Sequence, residues 1–370
     1  MKEPLFPCLS ELVDLACAIQ QIPAPTFQEG ERAQFMLQQF VQLNLHETWI
    51  DSAGNVFGKL QGKGKRNPVI LSAHLDTVHP LDTPLILERD PLRIKGPGIG
   101  DNSLGLAALI GLVWMLTHNQ TDLPGDLWLV ANICEEGLGN LRGIQAVVDR
   151  FNGFPLAYIV LEGSALGEIY HQGLGVDRYR ISIFTEGGHS WHDFGKPSAI
   201  HILTQIAAQI LEIEVPSSPR STLNIGKING GVSVNTIAPN ATLELDLRSE
   251  EPKGLQSMIR QLKEILTHFE QAEVDIQFDQ IGYRPAGRIS SEHPLVGLAI
   301  DSLTKVGIDA HLSIGSTDAN IPLSQGYPAV CVGITSGGKV HTTDEYIDVP
   351  PIAQGMQQLF WLTTGIWNTL

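Results

Sequence analysis

The sequence predicts an α/β protein built on a mostly parallel, mixed sheet flanked by helices, with a smaller ferredoxin-like α+β domain inserted into it. Three observations carry this reading. Up to about residue 175, continuously apolar strand-like runs alternate with helix-like segments, the pattern of a parallel sheet covered on both faces. From Val176 the strand candidates switch to apolar–polar alternation, as in a sheet with one wet face. After "YRPAGRISSEHP" the first style returns. The simplest interpretation is one α/β domain, residues 1–175 plus 286–370, interrupted by a domain at 176–285.

The elements follow in order. Residues 10–21 and 29–43 read as helices, followed by a strand before the Gly54-Asn55 turn. "NPVILSAH" (67–74) is an apolar run ending in polar residues, and "SLGLAALIGLVWMLTH" (103–118) a buried helix with Ser103 or Asn102 as its cap. "GDLWLVANI" (125–133) and "LAYIVLE" (156–162) are buried strands on either side of the helix "NLRGIQAVVDRF". In the inserted region the order is strand "DRYRISIFTEG", helix near 196–213, strands at 221–230 and 241–249, helix at 252–270 and strand at 274–281. That β-α-β-β-α-β order is the ferredoxin-like split pattern. A helix at 293–306, a strand at 328–334 and a helix at 351–368 complete the chain.

With 370 residues, 43% of them hydrophobic and 17% charged, the chain can build a sizeable core, and disorder is not expected. A net charge of −16 and the lack of any Lys/Arg-rich run argue against nucleic acid as a partner. Carboxylates gathered around cations would also count as excess acid in such a tally. The start "MKEPLFPCLSELVDLACAIQ" places prolines and acids where a signal peptide needs an unbroken apolar stretch. "LGLAALIGLVWML" is too short to cross a bilayer, so a cytoplasmic chain with no membrane partner is expected. Cys8, Cys17, Cys134 and Cys331 show no metal-type spacing and fit free thiols in a reducing compartment.

The informative residues are the polar ones that end the buried strands. After the first strand comes His74-Leu75-Asp76; side chains two apart in extended chain share a side, so Asp76 can accept the second ring N–H of His74. Asp101 follows in a glycine-rich loop, Glu135-Glu136 and Glu162 follow the next two strands, and His341 stands in "VHTTDE". The carboxyl ends of parallel strands form a common crevice, so these groups should converge. Two imidazoles and several carboxylates without a thiolate suit Zn²⁺, or Co²⁺ and Mn²⁺. One such ion leaves an excess of negative charge, whereas two roughly balance it.

"SAHLDTVHP", "GIGDNSLGLAAL", "CEEGLGNLRG", "LEGS", "GGHS" and "VHTTDEYIDV" together resemble the successive motifs of the di-zinc exopeptidase/amidohydrolase family. That family includes peptidase T, carboxypeptidase G, aminoacylase and succinyl-diaminopimelate desuccinylase, and the resemblance runs from about 70 to 348. It implies a sheet of the zinc-exopeptidase type whose inserted domain serves as lid and dimerisation domain. It further implies that His74 and Glu162 bind one metal, Glu136 and His341 the other, and that Asp101 bridges both. Glu135 would be the general base for the water shared by the metals, and Asp76 would orient His74. His189 in "EGGHS" resembles the lid histidine that stabilises the oxyanion, often delivered from the partner subunit of a dimer. The peptide Asp101-Asn102 would be cis.

Substrate clues are thinner. "GSTDAN" (315–320) resembles the segment of peptidase T-like members more than that of the deacylases. Asn235 and Arg248 match lid positions where the family shows Asn and Arg, and Arg284 is a second candidate for a carboxylate clamp. Of the remaining histidines only His192, three after His189, has a suggestive place. The expectation is therefore a di- or tripeptide aminopeptidase with two divalent ions, most readily Zn²⁺, acting as a homodimer on small carboxylate-bearing substrates. An N-acyl-amino-acid deacylase or carboxypeptidase is the alternative within the family. A catalytically silent metal-binding scaffold is the alternative outside it; that reading predicts damage to the base or the ligands, and all are present.

Overall fold

The computed structural model describes residues 4, 6 and 8–370, which form two compact units, one of the described residues up to Gly173 with Arg288–Leu370 and the other Leu174–Gly287. In the first unit a mixed sheet runs in the spatial order His46–Ile50, Val56–Leu60, Gly125–Asn132, Arg66–His74, Ala157–Glu162, Ala329–Gly333, Glu168–Gly173. His311–Gly315 also pairs with Glu168–Gly173, in parallel. The central strands are parallel to one another: Arg66–His74 lies between Gly125–Asn132 and Ala157–Glu162, and Ala329–Gly333 continues from there. Their apolar runs are buried on both faces, as the sequence pattern requires. The expected α/β fold with a mixed sheet flanked by helices is what the structure shows.

Helix Gly105–His118 is buried nearly all round, against Leu9–Gln20 on one side and Ile352–Thr369 on another. A Cβ on Gly111 would stand 2.8 Å from Leu12 Cδ1 and 3.0 Å from Met356 Cε, so the three helices meet at a residue without a side chain. The stretch Ile99–His118 has the length and hydropathy of a membrane span, but 89% of it is buried inside the protein. The α-helix starts later than the sequence suggests. Residues Ile99–Leu104 form a π-turn with non-helical backbone at Asp101 and Asn102, so neither Ser103 nor Asn102 caps the helix. Both side chains pin the turn instead: Ser103 Oγ donates to the Gly98 carbonyl, and Asn102 Nδ2 to that of Leu161.

A small antiparallel sheet of Glu88–Arg89, Arg93–Lys95, Tyr346–Asp348 and Gly337–Gly338 adjoins this turn. Its strands are too short to leave a periodic signal in the sequence.

The second unit orders its antiparallel strands Ser221–Gly230, Asn240–Ser249, Gly175–Phe184, Asp275–Arg284. Helices Ala199–Leu211 and Pro252–His268 pack on this sheet, and the chain order is β-α-β-β-α-β. Its core is separate, built from Ile181, Ile183, Leu203, Ile206, Leu243, Leu245, Met258 and Leu262 among others. A two-stranded ribbon, Gly188–His189 with Thr236–Ile237, completes the unit.

Candidate metal centre and active site

The register of the parallel strands aligns their carboxyl ends. His74 closes its strand directly opposite Asn132, and Glu162 closes the neighbouring strand opposite Gly333. Beyond Asn132 the chain turns sharply at Cys134, whose φ is 59°, and presents Glu135 and Glu136. Cys134 is held there from both sides. Its N–H donates to Glu29 Oε1 at 3.1 Å, and Arg142 Nε donates to its Sγ at 3.2 Å. Asp101 arrives from the π-turn, with a cis peptide to Asn102, and His341 from the loop before Tyr346–Asp348.

The structure brings these groups together. His74 Nε2 lies 2.9 Å from Asp101 Oδ1 and 3.7 Å from Glu162 Oε2. His341 Nε2 lies 3.1 Å from Asp101 Oδ2 and 3.4 Å from Glu136 Oε1. Asp101 thus turns one oxygen to each of two trios, His74–Asp101–Glu162 and Asp101–Glu136–His341. Within each trio the potential ligand atoms lie inside 4.8 Å of one another. Glu135 belongs to neither of these, but with His74 and Glu136 it forms a third trio by the same measure.

The electrostatics of this cluster are those of too many carboxylates in one place. Burial, and then the charge of Asp101, push Glu136 up to about 8; burial also pushes Glu162 up to about 7, against the hydrogen bond from His74. Burial disfavours a charged His74, but the hydrogen bond to Asp101 and the nearby carboxylates of Asp76 and Glu162 prevail and hold the imidazole well above its usual range. Hydrogen bonds to Asp101 and Glu136 raise His341 to about 10. Asp101 is held below the usual carboxylate range by the two imidazoles, despite its burial.

These residues fit a pair of divalent cations. Four carboxylates, those of Asp101, Glu135, Glu136 and Glu162, gather here around the imidazoles of His74 and His341. Two divalent ions would carry as much positive charge as the four carboxylates carry negative, and would leave both imidazoles neutral. The donor set, oxygen and nitrogen without sulfur, suits borderline metals.

Asp76 behaves differently from the extended-chain argument. His74 Nδ1 donates to the backbone carbonyl of Asp76 at 3.0 Å, whereas the Asp76 carboxylate lies 3.6 Å away. That carboxylate instead accepts the N–H of Glu135 (Oδ1) and of Glu136 (Oδ2), each at 2.9 Å, and the Thr26 hydroxyl at 2.9 Å. The strand ends at His74, so the chain has already turned when it reaches Asp76. Behind it the buried Arg32 donates to the carbonyls of Leu75 and Ile22. Burial lowers the Arg32 guanidinium to about 10.

The remaining candidates stand in the second unit. His189 is exposed on the ribbon; its Nδ1 accepts the N–H of Trp191 at 3.2 Å, which leaves Nε2 to carry the proton of the neutral ring. The Asn235 carbonyl accepts the N–H of Ser190 at 3.0 Å, so His189 and Asn235 share this ribbon. His192 is also close, with its ring centroid 4.8 Å from that of His189. Arg248 and Arg284 flank Val176 on neighbouring strands. Arg248 is ion-paired to Asp246 at 2.6 Å, and Arg284 is buried.

Two acids near the centre escape the sequence reading. Asp318, in "GSTDAN", is fully buried and accepts Asn132 Nδ2 at 2.7 Å; burial and the charge of Glu135 raise its carboxyl well above the usual range. Glu345, four residues after His341, accepts three backbone N–H groups of the loop that carries Asp101. Only its place inside "VHTTDEYIDV" could have drawn attention to it.

The model of the peptidase family M20/M25/M40 matches residues 70–361. Succinyl-diaminopimelate desuccinylase of Corynebacterium glutamicum is 26% identical over 365 residues, 95% of each chain. The crystal structure of aminopeptidase PepT from Bacillus cereus superposes with a TM-score of 0.79 at 21% identity, covering 97% of this chain and 99% of that one. The YXEP protein of Bacillus subtilis, described as a dinuclear metal-binding peptidase, does so at 0.71 and 17% identity, covering 98% and 99%. With a family match over most of its length and a His/Asp/Glu cluster at its strand ends, the chain belongs to the peptidase family M20/M25/M40, as a metallo-hydrolase acting on C–N bonds.

Proposed function

We propose that the chain hydrolyses the amide bond of small, carboxylate-bearing substrates at a two-metal centre, with di- and tripeptides cleaved from the amino end as its main substrates. The observation that carries this is the division of Asp101 between two trios, with Glu135 close by but in neither of the two that Asp101 joins. His74 and Glu162 would hold one ion and Glu136 and His341 the other, with Asp101 shared by both. Zn²⁺ is the first choice, with Co²⁺ or Mn²⁺ as substitutes. When bound, such a pair lowers the pKa of an attacking water and polarises the scissile carbonyl. Glu135 takes the proton from the attacking water and returns it to the leaving amine. Asp76 holds the backbone of both Glu135 and Glu136 through their N–H groups.

His189 supplies a neutral Nε2–H donor to the developing oxyanion, and its exposed position suits delivery by a second copy of the chain. Trp191, Phe194, Val232 and Val234 are exposed near it in sequence or across the ribbon, and support a homodimer through this unit. Asn235 and Arg284 bind the substrate's carbonyl and carboxylate, while Arg248 is chiefly occupied by Asp246. The likeness to PepT supports the peptidase reading. The full-length match to a desuccinylase favours a second one, an N-acyl-amino-acid deacylase using the same centre.

A panel of dipeptides, tripeptides and N-acyl amino acids, assayed with Zn²⁺, Co²⁺ or Mn²⁺ restored after chelation, decides between them. Turnover of acyl amino acids without peptides refutes the aminopeptidase reading. In the same assay Glu135→Gln keeps both ions and loses about 10²–10⁴-fold in kcat. Glu136→Gln loses metal. Equal metal loss in both variants refutes the assigned roles.

A further inference from the structure

Glu345 is 1% exposed and accepts hydrogen bonds along one stretch of backbone. Its Oε1 takes the N–H of Gly100 at 2.8 Å and of Asp101 at 2.7 Å; its Oε2 takes that of Gly98 at 2.9 Å. Its own carbonyl accepts the N–H of Gly96 at 2.8 Å. On its other side the Glu345 N–H donates to the Thr342 carbonyl at 3.2 Å, within the turn that begins at Lys339 and contains His341. A single side chain therefore ties the loop of Asp101 to the loop of His341, which are far apart in sequence. Both carboxylate oxygens are committed to N–H donors, so Glu345 is not a further metal ligand.

We propose that Glu345 is a positioning residue that couples the two halves of the metal centre, by fixing the Asp101 oxygens relative to His341 before any ion arrives. The proposal rests on the two-metal reading above. Three N–H donors converging on one buried carboxylate form charge-assisted bonds that a neutral amide cannot reproduce. A glutamine offers one oxygen and turns its NH₂ towards at least one N–H, which leaves a buried donor unsatisfied. The loop then relaxes, and both trios lose the same shared ligand at once.

The test is a titration of the chelated, full-length protein with Co²⁺, followed by visible absorption. Glu345→Gln raises the dissociation constant for the ion pair about 10–100-fold, the range for residues that support metal ligands from behind. At saturating Co²⁺ its kcat recovers towards the wild-type value, because Glu345 touches no reacting atom. Gly100→Ala reaches the same contact from the other side, since a Cβ there stands 2.9 Å from Glu345 Oε1, and weakens Co²⁺ binding likewise. Leu303→Ala, a fully buried core change on helix Pro294–Lys305, lowers thermal stability but leaves the Co²⁺ titration as in the wild type.

Wild-type Co²⁺ affinity in both site variants overturns the proposal, as does an affinity loss that Leu303→Ala reproduces. Should neither site variant fold, hydrogen exchange of the metal-free wild type decides. Slow exchange at the amides of Gly98, Gly100 and Asp101 supports the brace, and exchange as fast as in an open loop overturns it. A wild-type protein that takes up no pair of ions overturns the two-metal reading itself, whatever Glu345 does.

Discussion

Replacing Asp76 by Asn tests whether the two adjacent glutamates are held by one buried carboxylate. In the wild type, Oδ1 accepts Glu135 N–H, while Oδ2 accepts Glu136 N–H and the Thr26 hydroxyl. An asparagine has one acceptor oxygen, so whichever way it turns, its NH₂ faces one of the two backbone donors. A hydrogen bond to a charged group is worth about 1.5–3 kcal/mol, and a buried donor left unsatisfied costs about 1–3 kcal/mol. The two figures overlap in what they count, so a net loss of about 3 kcal/mol is the working value. For a unit of this size that lowers Tm by roughly 6–12 °C. The same change frees the Glu135–Glu136 backbone, so kcat falls further than stability alone explains. Thermal unfolding of the metal-free chain gives the first quantity, and kcat on a metal-saturated sample the second. Thr26→Val serves as the comparison, because it removes one hydroxyl donor and leaves both backbone bonds; it costs about 1 kcal/mol. An Asp76→Asn protein that unfolds and turns over like Thr26→Val would falsify the argument.

Two further outcomes follow from the site. The metal-free chain becomes less stable as pH rises from about 5 to about 9. Glu162 at about 7, Glu136 at about 8 and His341 at about 10 all have folded values above their ordinary ones, so their stabilisation is present at low pH and is lost as pH rises through those values. Added metal competes with the same protons, so the rise in Tm on metal addition grows over that window; a metal-free Tm that increases with pH contradicts this. His189→Ala keeps the metal content of the wild type and lowers kcat about 10²–10³-fold, the usual loss of an oxyanion donor. An unchanged kcat, or lost metal, removes His189 from the reaction.

The strand ends were legible in the sequence because a buried parallel strand stays apolar until it reaches the crevice. His74 and Glu162 stand out as the first ionisable residues after such runs, and Glu135-Glu136 follow another closely. The nearness of Asp76 to His74 was legible, but its bonds to the N–H groups of Glu135 and Glu136 were not, because period-two reasoning holds only inside a strand and this one stops at His74. Asn102 and Ser103 resemble helix caps, but they serve the π-turn that presents Asp101. Glu345 and Asp318 lie inside the quoted motifs, but nothing in the sequence marked them individually. Their partners are backbone amides and one asparagine, hundreds of residues away along the chain. Such a pairing exists only once the fold has brought the segments together.

The two trios differ in how they meet solvent. The His74 side chain is 1% exposed and ends a strand in the middle of the sheet, whereas that of His341 is 55% exposed and sits in a loop. Central strands open only with the whole unit, while loops open locally and often. If Glu136 and His341 hold one ion and His74 and Glu162 the other, the first would exchange faster than the second. Under a weak chelator or scarce metal, the site of His74 and Glu162 would then be the last to empty.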